Sequence, residues 1–306
     1  MLTRLSRITC FFVWLVLAPA CFSQETIAFP SLDLDAAGQP VTLDGYLFLP
    51  EPYDASKRFP AVVFMHGCGG LLTRAGKINS RETDWARRLS KQGYVVLAVD
   101  SFTTRNQGSE CAGGGPVRPQ TQRPLDAYGA LRYLQHRADV TPNRVALIGW
   151  SHGGGTVLFA IGPQGPAQHR PNRAQGTNAP EEPESDFRAA VAFYPGWCND
   201  KAQHAADWNT TVPLLILTGE SDVWTRAAPC KHFVETIQAH GAPVELHIYP
   251  GAYHDFDFPH LPVRSRPEFT NPRTGVVPIT GTDPAAREDA IERVTAYLAR
   301  YLKNDN

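Results

Sequence analysis

Residues 149–153, Gly-Trp-Ser-His-Gly, match the pattern G-x-S-x-G and place Ser151 between two apolar segments. The preceding segment, 144–148, is predicted to form a buried strand, and the following one continues as a helix to residue 161. A serine on a strained turn from strand to helix presents its hydroxyl at a sheet edge, and flanking glycines avoid clashes with nearby backbone. The sequence therefore predicts that Ser151 is a nucleophile. The alternative is a glycine-rich turn in which the serine has no chemical role.

A serine hydroxyl is a poor nucleophile until a base removes its proton. Of the ten histidines, His254 is the predicted base, because it lies in a loop directly after the predicted strand at 244–249. The other histidines lie within predicted helices or strands, in polar loops or beside the nucleophile. The ring of His66, in the turn after an apolar strand, is expected to form a hydrogen bond with loop backbone.

The histidine needs a carboxylate that fixes its tautomer and stabilises its protonated form. Asp222 ends the block Gly-Glu-Ser-Asp, just past a predicted strand at 213–217. The chain order serine, aspartate, histidine is that of α/β-hydrolases. Glu220 and Asp255 are the alternatives, but Asp255 directly follows His254 and is badly placed to face it. Asp222 is therefore the predicted acid.

Acyl transfer also needs hydrogen-bond donors for the charge that develops on the attacked carbonyl oxygen. The residue after the nucleophile, His152, supplies one backbone amide in this arrangement. The glycine-rich loop His-Gly-Cys-Gly-Gly at 66–70 follows an apolar strand and supplies the second, predicted to be the amide of Cys68. The sequence thus predicts an oxyanion hole formed by Cys68 and His152.

Several large side chains near the predicted strand ends are candidates for a substrate pocket. The aromatic ones could equally belong to the core. An arginine in a loop could hold a substrate carboxylate, although such a residue is usually solvated. The candidates are Trp150, Trp224, Phe102, Trp197, Tyr253 and Arg105. Neither HExxH nor a paired CxxC occurs, so no metal and no cofactor are predicted.

Apolar strands alternate with amphipathic helices along most of the chain. Strands are predicted at 60–65, 94–99, 144–148, 189–194, 213–217 and 244–249, and helices at 84–92, 124–137, 228–240 and 285–302. Residues 26–50 are predicted to form a strand pair, and the polar, proline-rich residues 162–187 a surface loop. The pattern predicts an α/β fold, in which a mostly parallel central sheet has helices on both faces and the site lies at the strand ends.

Length and composition are those of a globular protein. The chain has 306 residues, of which 42% are hydrophobic and 19% charged, and its formal net charge is -1. Because there is no basic surplus, no nucleic-acid partner is predicted. The expected partner is a small-molecule substrate.

The first 23 residues have the order of a secretory signal peptide. Arg4 and Arg7 precede an apolar run at 10–18 and small residues at 18–20. That run is too short to cross a bilayer of about 30 Å, so no membrane span is expected. We expect residues 24–306 to form one exported domain, periplasmic or secreted. Alternatively, Cys21 carries a lipid anchor, because residues 18–21 resemble a bacterial lipid-attachment box.

Cleavage of that peptide would leave four cysteines, an even number that favours two disulfides in an exported protein. Four cysteines permit three pairings, and the predicted fold favours Cys68–Cys111 and Cys198–Cys230. Cys68 is disfavoured as a thiolate nucleophile, because it does not lie on the strand-to-helix turn and has Cys111 as a partner.

Five blocks of sequence together resemble the dienelactone hydrolase family of the α/β-hydrolase superfamily, over residues 41–302. The blocks are HGCGG at 66–70, DSF at 100–102, GWSHGG at 149–154, GESD at 219–222 and YPGAYHDF at 249–256. The resemblance implies a nucleophile, acid and base at Ser151, Asp222 and His254, and oxyanion donors at Cys68 and His152. The best-known members use a cysteine nucleophile and a glutamate in the oxyanion loop. This chain has a serine and Gly67 there, and so resembles the esterase-like members.

These observations predict an exported serine hydrolase that cleaves a carboxylic ester or lactone through an acyl-enzyme. The alternatives are a peptidase or acyltransferase with the same three residues, and a non-catalytic binding protein on the same scaffold.

Overall fold

Short apolar runs form the central strands of an eight-stranded sheet in the computed structural model, which describes residues 24–166, 185–272 and 274–304. In the central strand Phe59–Met65, successive side chains pack into different core clusters. Val63 and Met65 belong to the cluster on one face of the sheet, and Val62 and Phe64 to the cluster on the other. A strand that is buried on both faces needs such an unbroken apolar run.

The strands of this sheet have a spatial order that differs from their order in the chain. They are β1 Gln24–Leu34, β2 Pro40–Phe48, β3 Phe59–Met65, β4 Val95–Asp100, β5 Val140–Trp150, β6 Ala189–Phe193, β7 Leu214–Gly219 and β8 Val244–Tyr249. The spatial order is β1-β2-β4-β3-β5-β6-β7-β8. The pairs β1/β2 and β2/β4 are antiparallel, and the other neighbours are parallel. A separate ribbon joins β9 Arg264–Ser265 to β10 Ile279–Thr280.

Helices cover both faces of the sheet. They are α1 Ser80–Lys91, α2 Gln122–Gln135, α3 His152–Ile161, α4 Asp200–Gln203, α5 Ala227–Ala239 and α6 Pro284–Leu302, with 3₁₀ turns at Thr103–Arg105 and Pro267–Phe269. Apolar residues of α2, α3 and α5 share one core cluster with the sheet, and those of α1 and α6 share the other. The predicted α/β fold, with a mostly parallel sheet between two helical layers, is confirmed.

Most elements lie within a few residues of their predicted bounds, and the predicted strand pair at 26–50 forms β1 and β2. Strand β5 begins earlier than expected, at Val140, because its first residue already pairs with Phe59 of β3. The sequence prediction lacks α4 and the β9–β10 ribbon. Elements of two to four residues are too short to show a periodic apolar pattern.

The β9–β10 ribbon returns to the loop after β8 and fixes the backbone of His254. Thr280 forms an isolated β-bridge with His254, and the Gly281 amide donates to the His254 carbonyl oxygen at 3.0 Å. The ribbon therefore positions a residue that the sequence singles out for chemistry.

Two sequence predictions fall outside the described residues. These are the signal peptide, with Cys21, and positions 167–184 of the polar loop. Among the helices that the structure describes, none combines the length and the apolar character that a membrane crossing requires.

Candidate active site

Ser151 lies on the turn between β5 and α3 with φ 52° and ψ -108°, a sparsely populated backbone conformation that costs about 1–3 kcal/mol. The packing around this turn requires glycines. A Cβ atom at position 149 would lie 2.2 Å from the Gly153 oxygen, and one at position 153 would lie 2.0 Å from the Met65 oxygen. The Ser151 amide donates to the Phe193 oxygen of β6 at 2.9 Å. The turn is thus held against two neighbouring strands.

Asp222 and His254 form a buried pair, in which Oδ2 of the carboxylate lies 2.6 Å from Nδ1 of the ring. The second carboxylate oxygen, Oδ1, accepts hydrogen bonds from the amides of Trp224 at 2.8 Å and Thr225 at 2.9 Å. The Thr225 hydroxyl donates to Oδ2 at 2.8 Å. Because the carboxylate is held in place, we assign the ring proton to Nδ1, which leaves Nε2 of His254 as the acceptor.

The two alternative carboxylates lie away from the ring of His254. Glu220 is exposed and accepts a hydrogen bond from the Gly251 amide at 3.3 Å. Asp255 forms an ion pair with the guanidinium group of Arg81 at 3.0 Å. Of the three carboxylates that the sequence offers, Asp222 is the one that contacts the histidine.

Two opposing effects set the pKa of His254. Burial favours the neutral ring and lowers the pKa, while the charge of Asp222 and its hydrogen bond to the ring raise it. The carboxylate outweighs burial, so the pKa of His254 lies above its ordinary value of 6.5. The contact with Asp222 thus favours the protonated ring, the form that an acid–base catalyst reaches when it accepts a proton.

Ser151 and His254 line the same cavity, which has a volume of about 670 Å³ and lies beyond the carboxyl ends of the strands. Among the hydrogen bonds of the described residues, none joins the two side chains. The bond between a nucleophile and its base is often long before a substrate binds. The structure thus brings the serine and the Asp222–His254 pair to one site.

Two backbone amides beside the nucleophile have no acceptor within the part of the chain that the structure describes, those of Cys68 and His152. His152 is the first residue of α3, and the first amides of a helix have no intrahelical partner. The loop of Cys68 lies close to the nucleophile, since a Cβ atom at Gly67 would lie 3.9 Å from Cβ of Ser151. A free amide at the start of a helix beside the nucleophile is suited to bind a negative oxygen.

His66 is fully buried and is neutral. Its Nδ1 donates to the Gly67 oxygen at 2.7 Å, and its Nε2 accepts from the Ser101 amide at 3.3 Å. Burial, with a smaller contribution from the charge of Arg123, holds the pKa of His66 well below its ordinary value. The predicted hydrogen bond from this ring to loop backbone is confirmed.

Two family models match the sequence. Residues 177–302 match the dienelactone hydrolase family, and residues 81–170 match the prolyl oligopeptidase family. A probable 2-oxo-3-(5-oxofuran-2-ylidene)propanoate lactonase from Bradyrhizobium sp is 26% identical over 247 residues, which cover 76% of this chain and 85% of that protein. The chain is a hydrolase of the α/β type that is similar to the dienelactone hydrolase family.

Peptidases match this hydrolase over only part of their own length. Dipeptidyl peptidase 8 from Homo sapiens is 27% identical over 121 residues, which cover 39% of the hydrolase and 14% of the peptidase. The crystal structure of Porphyromonas gingivalis dipeptidyl peptidase 4 superposes with a TM-score of 0.62 and 17% identity. The superposition covers 92% of the hydrolase but only 36% of the peptidase chain. A dienelactone hydrolase-like promiscuous phosphotriesterase from metagenomic libraries superposes with a TM-score of 0.61 and 17% identity. This superposition covers 91% of the hydrolase and 98% of the phosphotriesterase. The two structures share the fold of the hydrolase.

The four cysteines of the described residues form the two predicted disulfides, Cys68–Cys111 and Cys198–Cys230. The first joins the loop after β3 to the loop after β4. Beside it, the Glu110 amide donates to the Cys68 oxygen at 2.8 Å. The position of Cys68 is therefore fixed by both a covalent contact through its side chain and a hydrogen bond to its carbonyl oxygen.

The predicted pocket residues divide into two groups. Phe102 and Trp224 line the cavity. The prediction is wrong for Trp150, which is fully buried and donates its indole proton to Asp257 at 2.8 Å. Tyr253 and Trp197 also lie outside the cavity wall.

Arg105 is a further correction to the predicted pocket. Its guanidinium group pairs with Asp126 at 2.7 Å and with Asp33 at 2.8 Å. Both partners lie outside the cavity, and so does Arg105. In the loop after β4, Arg105 therefore forms ion pairs within the protein. Its guanidinium group is not available to bind a substrate carboxylate.

Several residues that line the cavity were not predicted from the sequence. The ring of Phe269 stacks on Trp224 with centroids 5.4 Å apart, and the Arg266 guanidinium lies 4.9 Å from the Phe269 ring centroid. Arg81 and Phe258 complete this wall. The 3₁₀ turn beside β9 carries Phe269, so no periodic pattern could have revealed it.

Within the described ranges, no group of three or more histidine, cysteine, aspartate or glutamate side chains is arranged to hold a metal ion.

Proposed function

We propose that this chain is a serine hydrolase that cleaves carboxylic esters or lactones through an acyl-enzyme intermediate. Ser151 is the nucleophile, His254 the general base and Asp222 the residue that orients the base. The observation that carries the proposal is the strained Ser151 turn facing the same cavity as the buried Asp222–His254 pair. This combination of a strained serine and an oriented imidazole is the arrangement that serine catalysis requires.

The reaction begins when Oγ of Ser151 attacks the carbonyl carbon and Nε2 of His254 accepts the serine proton. The carbonyl oxygen becomes an oxyanion and accepts hydrogen bonds from the amides of Cys68 and His152. When the intermediate collapses, the leaving alcohol takes the proton from His254 and Ser151 remains acylated. Water then repeats the sequence on the acyl-enzyme and releases the carboxylic acid.

Coverage of the relatives favours an ester or lactone over a peptide. The lactonase relative is covered over 85% of its length, whereas dipeptidyl peptidase 8 is covered over 14%. The match of residues 81–170 to the prolyl oligopeptidase family supports a peptidase as the second candidate. Both candidates use the same three residues, so they differ in substrate and not in mechanism.

We further propose that residues 24–306 form one domain that is exported to an oxidising compartment. The two disulfides support this proposal, because cytosolic proteins seldom keep such bonds. The signal-peptide pattern before residue 24 supports it independently.

A substrate screen tests the proposed activity. It compares p-nitrophenyl esters of graded chain length, lactones and a panel of peptides on wild type and Ser151→Ala. Loss of the nucleophile should lower kcat/KM for the ester by roughly 10⁴-fold or more. The matched control is Ser109→Ala, because Ser109 lines the same cavity away from the turn and its loss should leave the rate within a few-fold. Full ester hydrolysis by Ser151→Ala, or cleavage of peptides alone, would contradict the proposal.

A further inference from the structure

Arg123 is a fully buried arginine that no step of the proposed reaction uses. It is the second residue of α2 and lies behind Phe102, which lines the cavity. Its Nε atom is buried and has no hydrogen-bond partner among the described residues. Its guanidinium carbon, Cζ, lies over the ring of Phe102, 5.3 Å from the ring centroid.

The two terminal nitrogens of Arg123 reach two different segments of the site. Nη1 donates to Nδ1 of His152 at 2.6 Å, and Nη2 donates to the carbonyl oxygen of His66 at 2.8 Å. His152 carries one of the two amides assigned to the oxyanion hole. His66 lies two residues before Cys68, which carries the other. One rigid, planar group thus spans the two segments whose spacing sets the distance between the amides.

The charges around Arg123 agree with this direction of donation. Burial lowers the pKa of Arg123 to about 10, so the group is a cation at neutral pH. Burial, followed by the charge of Arg123, lowers the pKa of His152 to about 2, so the ring is neutral and Nδ1 has a free lone pair. The other ring nitrogen, Nε2, lies 3.6 Å from Oε2 of Glu110.

Arg123 is not held by a direct ion pair. The charges of Asp126 and Glu110 favour its protonated form, but none of its hydrogen bonds within the described residues goes to a carboxylate, and burial still lowers its pKa. The neighbouring Arg105, in contrast, has two bonded carboxylates. The two terminal nitrogens of Arg123 instead donate to His152 and to the backbone of His66, in the two segments that carry the proposed oxyanion amides.

We propose that Arg123 is the positioning residue of the oxyanion hole, which holds the His66–Cys68 loop and His152 at the spacing that lets both amides bind one oxyanion. This inference rests on the proposed serine-hydrolase function. It assigns Arg123 no contact with the substrate. Its effect should therefore appear in the stabilisation of the transition state and not in substrate binding.

The test compares Arg123→Met and Arg123→Lys with a matched control, Arg137→Met. Arg137 follows the same helix and forms an ion pair with Asp139 at 2.7 Å, far from the cavity. For each variant, kcat and KM are measured with p-nitrophenyl acetate. The affinity for an alkyl trifluoromethyl ketone, whose hemiketal oxygen occupies the oxyanion hole, is measured beside them.

Arg123→Met should lower kcat by roughly 10- to 100-fold, because a small misplacement of catalytic groups has effects of that size, while KM changes by less than about 3-fold. Affinity for the ketone should fall by a similar factor. Arg123→Lys keeps the charge but not the planar fork, and should fall between Arg123→Met and wild type. Arg137→Met should keep wild-type kcat and ketone affinity.

Wild-type kcat and ketone affinity in Arg123→Met would overturn the inference, as would a lower kcat with unchanged ketone affinity. If Arg123→Met does not fold, Arg123→Lys decides, since wild-type values for both quantities in that variant would equally overturn it. Failure of the proposed function looks different, because Ser151→Ala would then retain ester hydrolysis.

Discussion

The carboxylate of Asp222 controls which nitrogen of His254 can act as a base. Two amides and the Thr225 hydroxyl hold the carboxylate, and Oδ2 receives the Nδ1 proton at 2.6 Å. The lone pair of Nε2 then remains for a proton from Ser151. At the scale of residues, these contacts favour one tautomer of His254 before any substrate binds.

The pH dependence of the reaction should report the Asp222–His254 contact. Since the base must be neutral and its pKa lies above 6.5, kcat/KM of wild type should fall on acidification with a midpoint above pH 6.5. In Asp222→Asn the charge that most raises the pKa is gone, while burial and the smaller, opposing charges of Asp255 and Arg81 remain, so the midpoint should move below that of wild type. The rate should also drop, on the order of 10⁴-fold.

These changes are checked by profiles of kcat/KM from pH 5 to 9. Glu220→Gln is the control, because Glu220 is exposed and does not contact the ring; it should keep the wild-type midpoint. A wild-type midpoint at or below 6.5, or an unchanged midpoint in Asp222→Asn, would show that the carboxylate does not govern the base.

The sequence revealed Ser151, Asp222 and His254 because each follows an apolar strand, and the carboxyl ends of parallel strands converge. It could not reveal Arg123. An arginine in the first turn of an amphipathic helix resembles a solvated residue, and its burial depends on the helix lying against the turns after β3 and β5. Arg105 failed as a prediction for the same reason, because its partners, Asp33 and Asp126, are distant in sequence.

At the scale of elements, the loop after β3 carries Cys68, whose amide is proposed to bind the oxyanion. The loop after β4 carries Cys111 and Glu110, which contact it. The bridge to Cys111 and the hydrogen bond from the Glu110 amide join the loop after β3 to the loop after β4, in addition to the contact of the loop after β3 with Arg123. The second disulfide, Cys198–Cys230, joins the segment after β6 to α5 and lies away from the cavity wall. The two bridges should therefore affect catalysis differently.

Replacing Cys68 and Cys111 together by serine should lower kcat by about 10-fold, because the Cys68 amide loses its covalent support and moves relative to the carbonyl. The matched control replaces Cys198 and Cys230 by serine. The bridged residues are 43 and 32 positions apart, so chain entropy gives each bond a similar contribution to stability, about 4 kcal/mol.

Far-UV circular dichroism, thermal melting and ester hydrolysis measure the two effects side by side. Both double variants should melt at lower temperature with unchanged secondary structure. Only the first should lose activity, and excess dithiothreitol should reproduce that loss in wild type. Equal turnover in both variants would mean that the first bridge contributes stability alone.

The regular elements were predictable because burial on both faces leaves an unbroken apolar run, as in β3, β4 and β7. The β9–β10 ribbon was not predictable, since its two-residue strands are held by contacts with the His254 loop and not by a pattern of their own. This ribbon brings Arg266 and Phe269 to the cavity. The segment about which the sequence is least informative thus forms part of the cavity wall.

At the scale of the whole molecule, one sheet brings together groups that are more than a hundred residues apart in the chain. Strands β5, β7 and β8 are parallel members of this sheet, and Ser151, Asp222 and His254 follow their carboxyl ends. Strand β3, beside β5, adds the loop of Cys68. Because helices bury both faces of the sheet, polar side chains can be placed at the carboxyl ends of the strands without being buried in the hydrophobic core.

The central claim is that this assembly makes the hydroxyl of Ser151 a nucleophile. Mass spectrometry of the protein after treatment with a fluorophosphonate tests it most directly. The account predicts one adduct, mapped to the peptide of Ser151, formed in step with the loss of esterase activity and absent from Ser151→Ala. An adduct on another residue, or full inactivation while Ser151 stays unmodified, would contradict it.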